Sequence, residues 1–344
     1  MLIPYLLQEQ VKLQNYIKRV YYLKPEIFIT RKLPQPALDK ISEVFEMKIN
    51  PEERILTKSE IIEGVKNCDI LLCLLTDTID EEIISANPNL KGIVNYAVGY
   101  NNIDVECATK LGIPITNTPG VLTETTADMT WALIFAVARR IVESDKYNRA
   151  GRFKGWGPLH FLGSDIYGKT LGIVGVGRIG TAVAKRAIGF KMKVLYADEN
   201  TSIEREVDAE KVSFEELLRK SDFVTLHVPL LPKTKHLISE RELKEMKNTA
   251  YLINTSRGPV VDEKALVKAL NEGWIAGAGL DVYENEPALT EGLADCENAV
   301  LTPHIASASV ETRTNMGLIA AENAITIIKG ERPPQIVNPE IYEK

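Results

Sequence analysis

The chain has 344 residues, 45% of them hydrophobic and 26% charged, which is enough for two domains of ordinary size, each with its own core. A net charge of -6 argues against nucleic acid or an anionic membrane as the main partner. The four cysteines include no C-x-x-C pair and have no histidine nearby, so neither a metal site nor a disulfide framework is expected, and free thiols suit a cytoplasmic setting.

Residues 1–23 place apolar side chains at loosely helical spacing (Leu6, Leu7, Val11, Leu13, Ile17, Val20) before Pro25 stops any helix, and they read as an N-terminal extension. Met1 to Leu7 is apolar but lacks a basic lead and runs into Gln-Glu-Gln, so no secretory signal is expected. From Glu26 onward, short apolar runs at Ile27–Thr30, Met47–Ile49, Ile70–Leu74, Gly92–Asn95 and Ile113–Thr116 predict strands. Helical stretches near Pro36–Phe45, Lys58–Lys66, Asp80–Ala86 and Asp104–Leu111 separate them, an order that predicts a doubly wound parallel sheet. Thr123 follows a Pro-Gly turn and is expected to cap one helix running from Glu124 to about Asn148. That helix is apolar nearly all round, which predicts burial or a subunit contact and favours a homodimer. A loop rich in glycine and aromatics, Gly151 to Tyr167, comes next.

Gly163 to Thr170 matches the P-loop spacing G-x-x-x-x-G-K-[ST], but it precedes a strand rather than following one, so ATP is not expected there. The decisive stretch is Thr170 to Asp198: an apolar strand, the turn Gly175-x-Gly177-x-x-Gly180, a helix and a second strand ending in an acid. Gly175 permits the tight turn, Gly177 lets backbone approach a pyrophosphate, and Gly180 lets helix and strand pack closely. Asp198 stands about 20 residues on, where a carboxylate accepts from a ribose 2′-hydroxyl and repels a 2′-phosphate, so NAD is expected over NADP.

The alternation then resumes with helix Phe214–Lys220, strand Phe223–Val228, helix Glu240–Met246, strand Ala250–Asn254, helix Glu263–Asn271, strand Ile275–Leu280 and a last strand at Val300–Leu301. A long amphipathic helix, Val310 to Ile328, has no strand of its own to cover and is expected to return to the first domain. Three strand ends of one sheet deliver Asn254-Thr-Ser-Arg257-Gly, Asp281-Val-x-x-x-Glu286-Pro and Thr302-Pro-His304 to a common edge. An arginine there can fork onto a carboxylate. A histidine paired with a glutamate is the usual way to keep a general acid ready near neutral pH. His160, His227 and His236 lie in a loop, a strand and a polar turn and read as structural.

Taken together these motifs resemble the D-2-hydroxyacid dehydrogenase family, in particular its glyoxylate and hydroxypyruvate reductase branch, over about Lys24 to Asn338. The resemblance implies Arg257, Glu286 and His304 as the catalytic set and the Ala97-Val98-Gly99 turn as a carboxylate-binding nest, with Val98 and Gly99 supplying the amides. It implies Gly175, Gly177, Arg178, Ile179, Gly180, Asp198, Pro229, Thr255 and Asp281 as cofactor-binding residues, Asp281 at the nicotinamide end. Asn102 and Asp104 fall in the family's N-I-D pattern, and Glu286 speaks against formate dehydrogenase activity, where a glutamine stands. The family implies a Rossmann NAD-binding domain, residues 119–305, inserted into a discontinuous flavodoxin-like substrate domain, residues 24–118 plus 306–344. The 2-oxo acid is expected between them, reduced by NADH with His304 as general acid. D-3-phosphoglycerate and D-lactate dehydrogenase are the competing enzyme readings, and an NAD(H)-sensing scaffold is the non-enzyme one.

Overall fold

In the computed structural model, residues 24–199, 201–203 and 206–343 are described. The N-terminal extension and Asn200 lie outside them. The chain divides into two compact units, one formed by residues up to Pro119 and from Arg313 onward, the other by Gly120 to Thr312.

The first unit is a five-stranded, all-parallel sheet in the order β2-β1-β3-β4-β5. Its strands are β1 (Glu26–Ile29), β2 (Glu46–Ile49), β3 (Ile70–Cys73), β4 (Gly92–Asn95) and β5 (Ile115–Thr116), and helices α1 (Gln35–Val44), α2 (Lys58–Val65), α3 (Glu81–Ser85) and α4 (Val105–Lys110) connect them. The helices start where the sequence supplies a cap: Thr57 and Glu60 form a capping box on α2, and Asp80 and Asp104 accept from the third amides of α3 and α4. β3 and β4 are buried along their whole length, as expected of strands covered on both faces.

The second unit is a seven-stranded parallel sheet in the order β12-β11-β10-β9-β6-β7-β8. Its strands are β6 (Thr170–Val174), β7 (Lys193–Ala197), β8 (Ala209–Lys211), β9 (Phe223–Leu226), β10 (Tyr251–Asn254), β11 (Gly277–Leu280) and β12 (Ala299–Leu301). The chain winds outward from β6 through β7 to β8, then resumes on the other side of β6 with β9, so the order reverses between β6 and β9. In such sheets ligands bind outside the carboxyl ends of the strands at that reversal. The helices are α5 (Thr123–Ala138), α6 (Ile141–Arg149), α7 (Arg178–Ala187), α8 (Phe214–Lys220), α9 (Glu240–Glu245) and α10 (Glu263–Glu272); a last helix, α11 (Val310–Ile328), leads back into the first unit.

Two elements differ from the sequence expectation. The single helix Glu124–Asn148 is two helices. Thr123 is the first residue of α5 and does not cap it, and the helix ends because Ala138 O accepts the Ser164 amide and Arg140 turns into the left-handed region at φ 53°. The apolar face of α5 is absorbed by its own unit: Ala127, Trp131, Leu133, Ile134 and Val137 are buried in the core, and Gly277 and Gly279 of β11 let it approach. A Cβ on Gly279 would lie 3.0 Å from Leu133 Cβ. The strand β8 has no counterpart in the sequence expectation, because Ala-Glu-Lys at a sheet edge has no apolar alternation to betray it.

Candidate active site

The glycine turn is built as its spacing requires. Gly175 holds φ 88°, where a Cβ would lie 2.9 Å from His227 O, and a Cβ on Gly180 would lie 2.1 Å from Gly175 O, so any side chain there would push α7 off β6. At Gly177 a Cβ would meet nothing within 4 Å, so the protein itself does not require glycine there. Gly177 is also the N-cap of α7 and offers no side chain to the first amides, those of Arg178 and Ile179 included. A cavity of about 520 Å³ opens at this point, lined by Val176, Gly177, Arg178, Thr181 and Thr201 among others. Open space above uncapped helix amides fits the pyrophosphate of a dinucleotide. Asp198 directly follows the next strand, its Oδ2 accepting from Val176 N at 2.9 Å and its Oδ1 from Thr201 N at 2.8 Å, so the carboxylate is already fixed beside the turn.

The P-loop-like stretch precedes β6 and packs over the end of α5. A Cβ on Gly163 would lie 2.2 Å from Ala138 O; the glycine is there to let the loop close over the end of α5.

Arg257 follows β10, and its turn is shaped by Asn254, the last strand residue. Asn254 is 1% exposed, its Nδ2 donates to Arg257 O at 2.9 Å, and its Oδ1 accepts from Ser256 N and Oγ. The guanidinium donates through Nη1 to Ser256 O at 2.7 Å. Burial lowers its pKa from the usual 12.5 while the charge of Glu286 opposes the shift. Thr255 is buried and shares a hydrogen bond with Thr130 at 2.9 Å, and Pro229 lies just past β9, in a turn closed by the Thr234 hydroxyl.

His304 Nδ1 lies 2.9 Å from Glu286 Oε2, which leaves Nε2 outside the pair. Glu286 Oε1 accepts from Tyr283 N at 3.0 Å. Burial pushes the Glu286 carboxyl up, but the hydrogen bond and charge of His304, the Tyr283 amide and the charge of Arg257 outweigh it, and the net shift is downward from 4.5. His304 sits at φ 53°. Asp281 holds it there: fully buried, it takes the Thr302 hydroxyl (2.6 Å) and Ile305 N (2.8 Å) on Oδ1 and Ala306 N (2.7 Å) on Oδ2, while its carbonyl accepts His304 N. This bracing of the histidine turn is absent from the sequence expectation; an acid one residue past a buried strand is its only signal there. His227, in contrast, has Nε2 shut away without a partner, and burial pushes its pKa down to about 3, which disqualifies it as an acid.

In the first unit, the turn Ala97–Gly99 has all three carbonyls engaged, by Thr118 N, Asn117 Nδ2 and Asn95 Nδ2. The amides of Val98 and Gly99 donate to nothing among the described residues. Asn102, from the N-I-D pattern, ties the turn to Leu74 O and Asp77 O, and Asp104 caps α4. Among the described residues no group of three or more His, Cys, Asp or Glu is placed to hold a metal ion. No helix there is long and apolar enough to cross a membrane.

Residues 131–306 match the model of the D-isomer specific 2-hydroxyacid dehydrogenase NAD binding domain. A relative from Korarchaeum cryptofilum named glyoxylate reductase is 56% identical over 325 residues, 93% of this chain and 98% of its own length. The chain belongs to the D-isomer specific 2-hydroxyacid dehydrogenase family and is an oxidoreductase. Among solved structures, the TT0316 protein of Thermus thermophilus is similar at 44% identity and TM-score 0.87, covering 91% of this chain and 99% of that one. An NADPH-dependent glyoxylate/hydroxypyruvate reductase from Sinorhizobium meliloti, solved with NADP and malonate, is 31% identical at TM-score 0.80, covering 91% and 97%.

Because the Glu286 carboxyl lies below 4.5, the stability its pairing with His304 contributes is complete above that pH and is lost as pH falls through the lower folded value. Urea midpoints of native protein and Glu286→Gln should therefore differ at pH 5 and draw together as pH falls below 4.5. A gap unchanged at about pH 3.5 would contradict the ionised pair.

Proposed function

We propose that the chain reduces glyoxylate, and hydroxypyruvate beside it, to the 2-hydroxy acid with NADH. The observation that carries this is the His304–Glu286 pair at 2.9 Å, delivered with Arg257 by three neighbouring strand ends of the cofactor-binding sheet. The names of the relatives support the substrate. A bound nicotinamide would supply the hydride that adds to the carbonyl carbon. Arg257 polarises the ketone oxygen and holds the carboxylate, a fork that lysine could not reproduce. His304 Nε2 gives its proton to that oxygen as negative charge develops. Glu286 keeps the Nδ1 proton in place and with it the tautomer. The amides of Val98 and Gly99 are assigned to the substrate carboxylate. A smaller acid than phosphoglycerate is preferred on the strength of the glyoxylate reductase relatives.

The preference for NADH rests on Asp198, which directly follows β7 with its carboxylate beside the glycine turn, and on Glu199 next to it. The relative solved with NADP makes this the point to test. A homodimer is proposed on a different basis from the sequence reading. α5 is buried, and the unpartnered apolar surface is instead that of α6 and the following loop, with Ile141, Phe153, Trp156, Leu159 and Leu162 exposed, Trp156 to 86%. The free cysteines agree with a cytoplasmic setting.

His304→Ala should lower the rate of NADH oxidation by glyoxylate by about 10²-fold or more, with NADH affinity nearly unchanged; turnover close to that of native protein would sink the assignment. Asp198→Ala should shift the kcat/KM ratio toward NADPH by about tenfold, or ~1.4 kcal/mol; an unaltered ratio would show that the acid does not discriminate. Light scattering should give about twice the 38.3 kDa chain mass, and Trp156→Ser with Leu159→Ser should lower it. A monomer in the unaltered chain would refute the dimer.

A further inference from the structure

A second histidine–carboxylate contact lies at the same sheet edge, in the turn after β9. His236 Nε2 is 2.6 Å from Glu284 Oε1. The backbone amide of His236 donates to Pro259 O at 2.8 Å, in the turn that carries Arg257. The residue adopts φ 52°, the left-handed region that side chains other than glycine seldom enter. One residue thus ties together three segments: its own turn from Pro229 to Leu237, the Arg257–Val260 turn and the loop after β11.

The far side of this contact is also fixed. The Glu284 amide donates to Glu263 Oε1 at 2.6 Å, and Glu263, 1% exposed, takes the Thr290 hydroxyl on its other oxygen at 2.6 Å. Two residues after Glu284 comes Glu286, whose Oε1 is bound by the Tyr283 amide. The loops have no slack between them: a Cβ on Gly258 would lie 1.9 Å from the carbonyl carbon and oxygen of Tyr283. A displacement at Glu284 must therefore pass to Arg257 on one side and to Glu286 on the other.

We propose that His236 is a positioning residue for the proton-donating pair: by holding Glu284 and Pro259 it fixes the loop that aims Glu286 at His304. It acts through Glu284, touching neither His304 nor Glu286, and the inference rests on the reading of His304 as the acid. His236→Asn tolerates the left-handed backbone but is too short to reach Glu284, while His236→Gln restores an amide donor of similar reach. Glu284→Ala breaks the contact from the other side and serves if His236→Asn does not fold.

In the full-length protein, His236→Asn and Glu284→Ala should each lower kcat for glyoxylate reduction about tenfold, with the Kd for NADH changed less than about twofold, and His236→Gln should recover most of the loss. In a Glu286→Gln background the His236→Asn effect should all but vanish, because the group it positions has lost its charge. A merely structural role would lower the melting temperature and multiply the Glu286→Gln loss without rescue; either that outcome or native kcat in both single variants overturns the proposal. Native kcat in His304→Ala would instead overturn the reading of the acid itself, and this inference with it.

Discussion

The buried carboxylate of Asp281 is the constraint on which the candidate site depends. It lies at 0% exposure, one residue past β11, and gathers three donors from residues 302–306 of the neighbouring strand end. Left-handed backbone at a non-glycine residue costs on the order of 1 kcal/mol. Hydrogen bonds to a charged group contribute about 1.5–3 kcal/mol each, so three of them outweigh the strain at His304. The same bonds satisfy an acid that burial would otherwise penalise. Strain and burial are thus offset by one arrangement, and its result is a ring held 2.9 Å from Glu286.

Both sheets use one device to shape the turns at their candidate-site edges. The last residue of β4 is Asn95 and the last of β10 is Asn254, at 0% and 1% exposure. Each donates its side-chain amide to a carbonyl three or four residues on, Gly99 O at 2.8 Å and Arg257 O at 2.9 Å. An asparagine at a buried strand end mimics a backbone turn and absorbs a carbonyl that would otherwise lack a donor. In one unit this holds the Ala97–Gly99 turn, whose Val98 and Gly99 amides have no acceptor among the described residues; in the other it holds the turn that carries Arg257.

Glycine serves two different ends in the cofactor-binding sheet. Gly175, Gly180, Gly277 and Gly279 are places where another backbone or helix comes too close for a Cβ. Gly177 is not: a Cβ there would meet no other atom within 4 Å, so nothing in the fold itself calls for glycine at that position.

The order of strands and helices, the two parallel sheets and the residues at the strand ends were legible in the sequence, because apolar runs covered on both faces and glycine spacing are local signals. Asp198, Arg257, Glu286 and His304 stood out because each is a polar residue immediately after such a run or in the turn that follows it. Local signals failed where the deciding partner was distant in the chain. The break in the helix at Arg140 depends on Ser164 and Gly163 closing over Ala138, and β8 exists only because β7 offers it a ladder. The hold of Asp281 on the histidine turn spans more than 20 residues, and His236 meets Glu284 across 48. The sequence by itself determined which groups reach the edge of the sheet; the tertiary structure decided which of them touch, because hydrogen-bond geometry between separate loops is set by packing and has no periodicity along the chain.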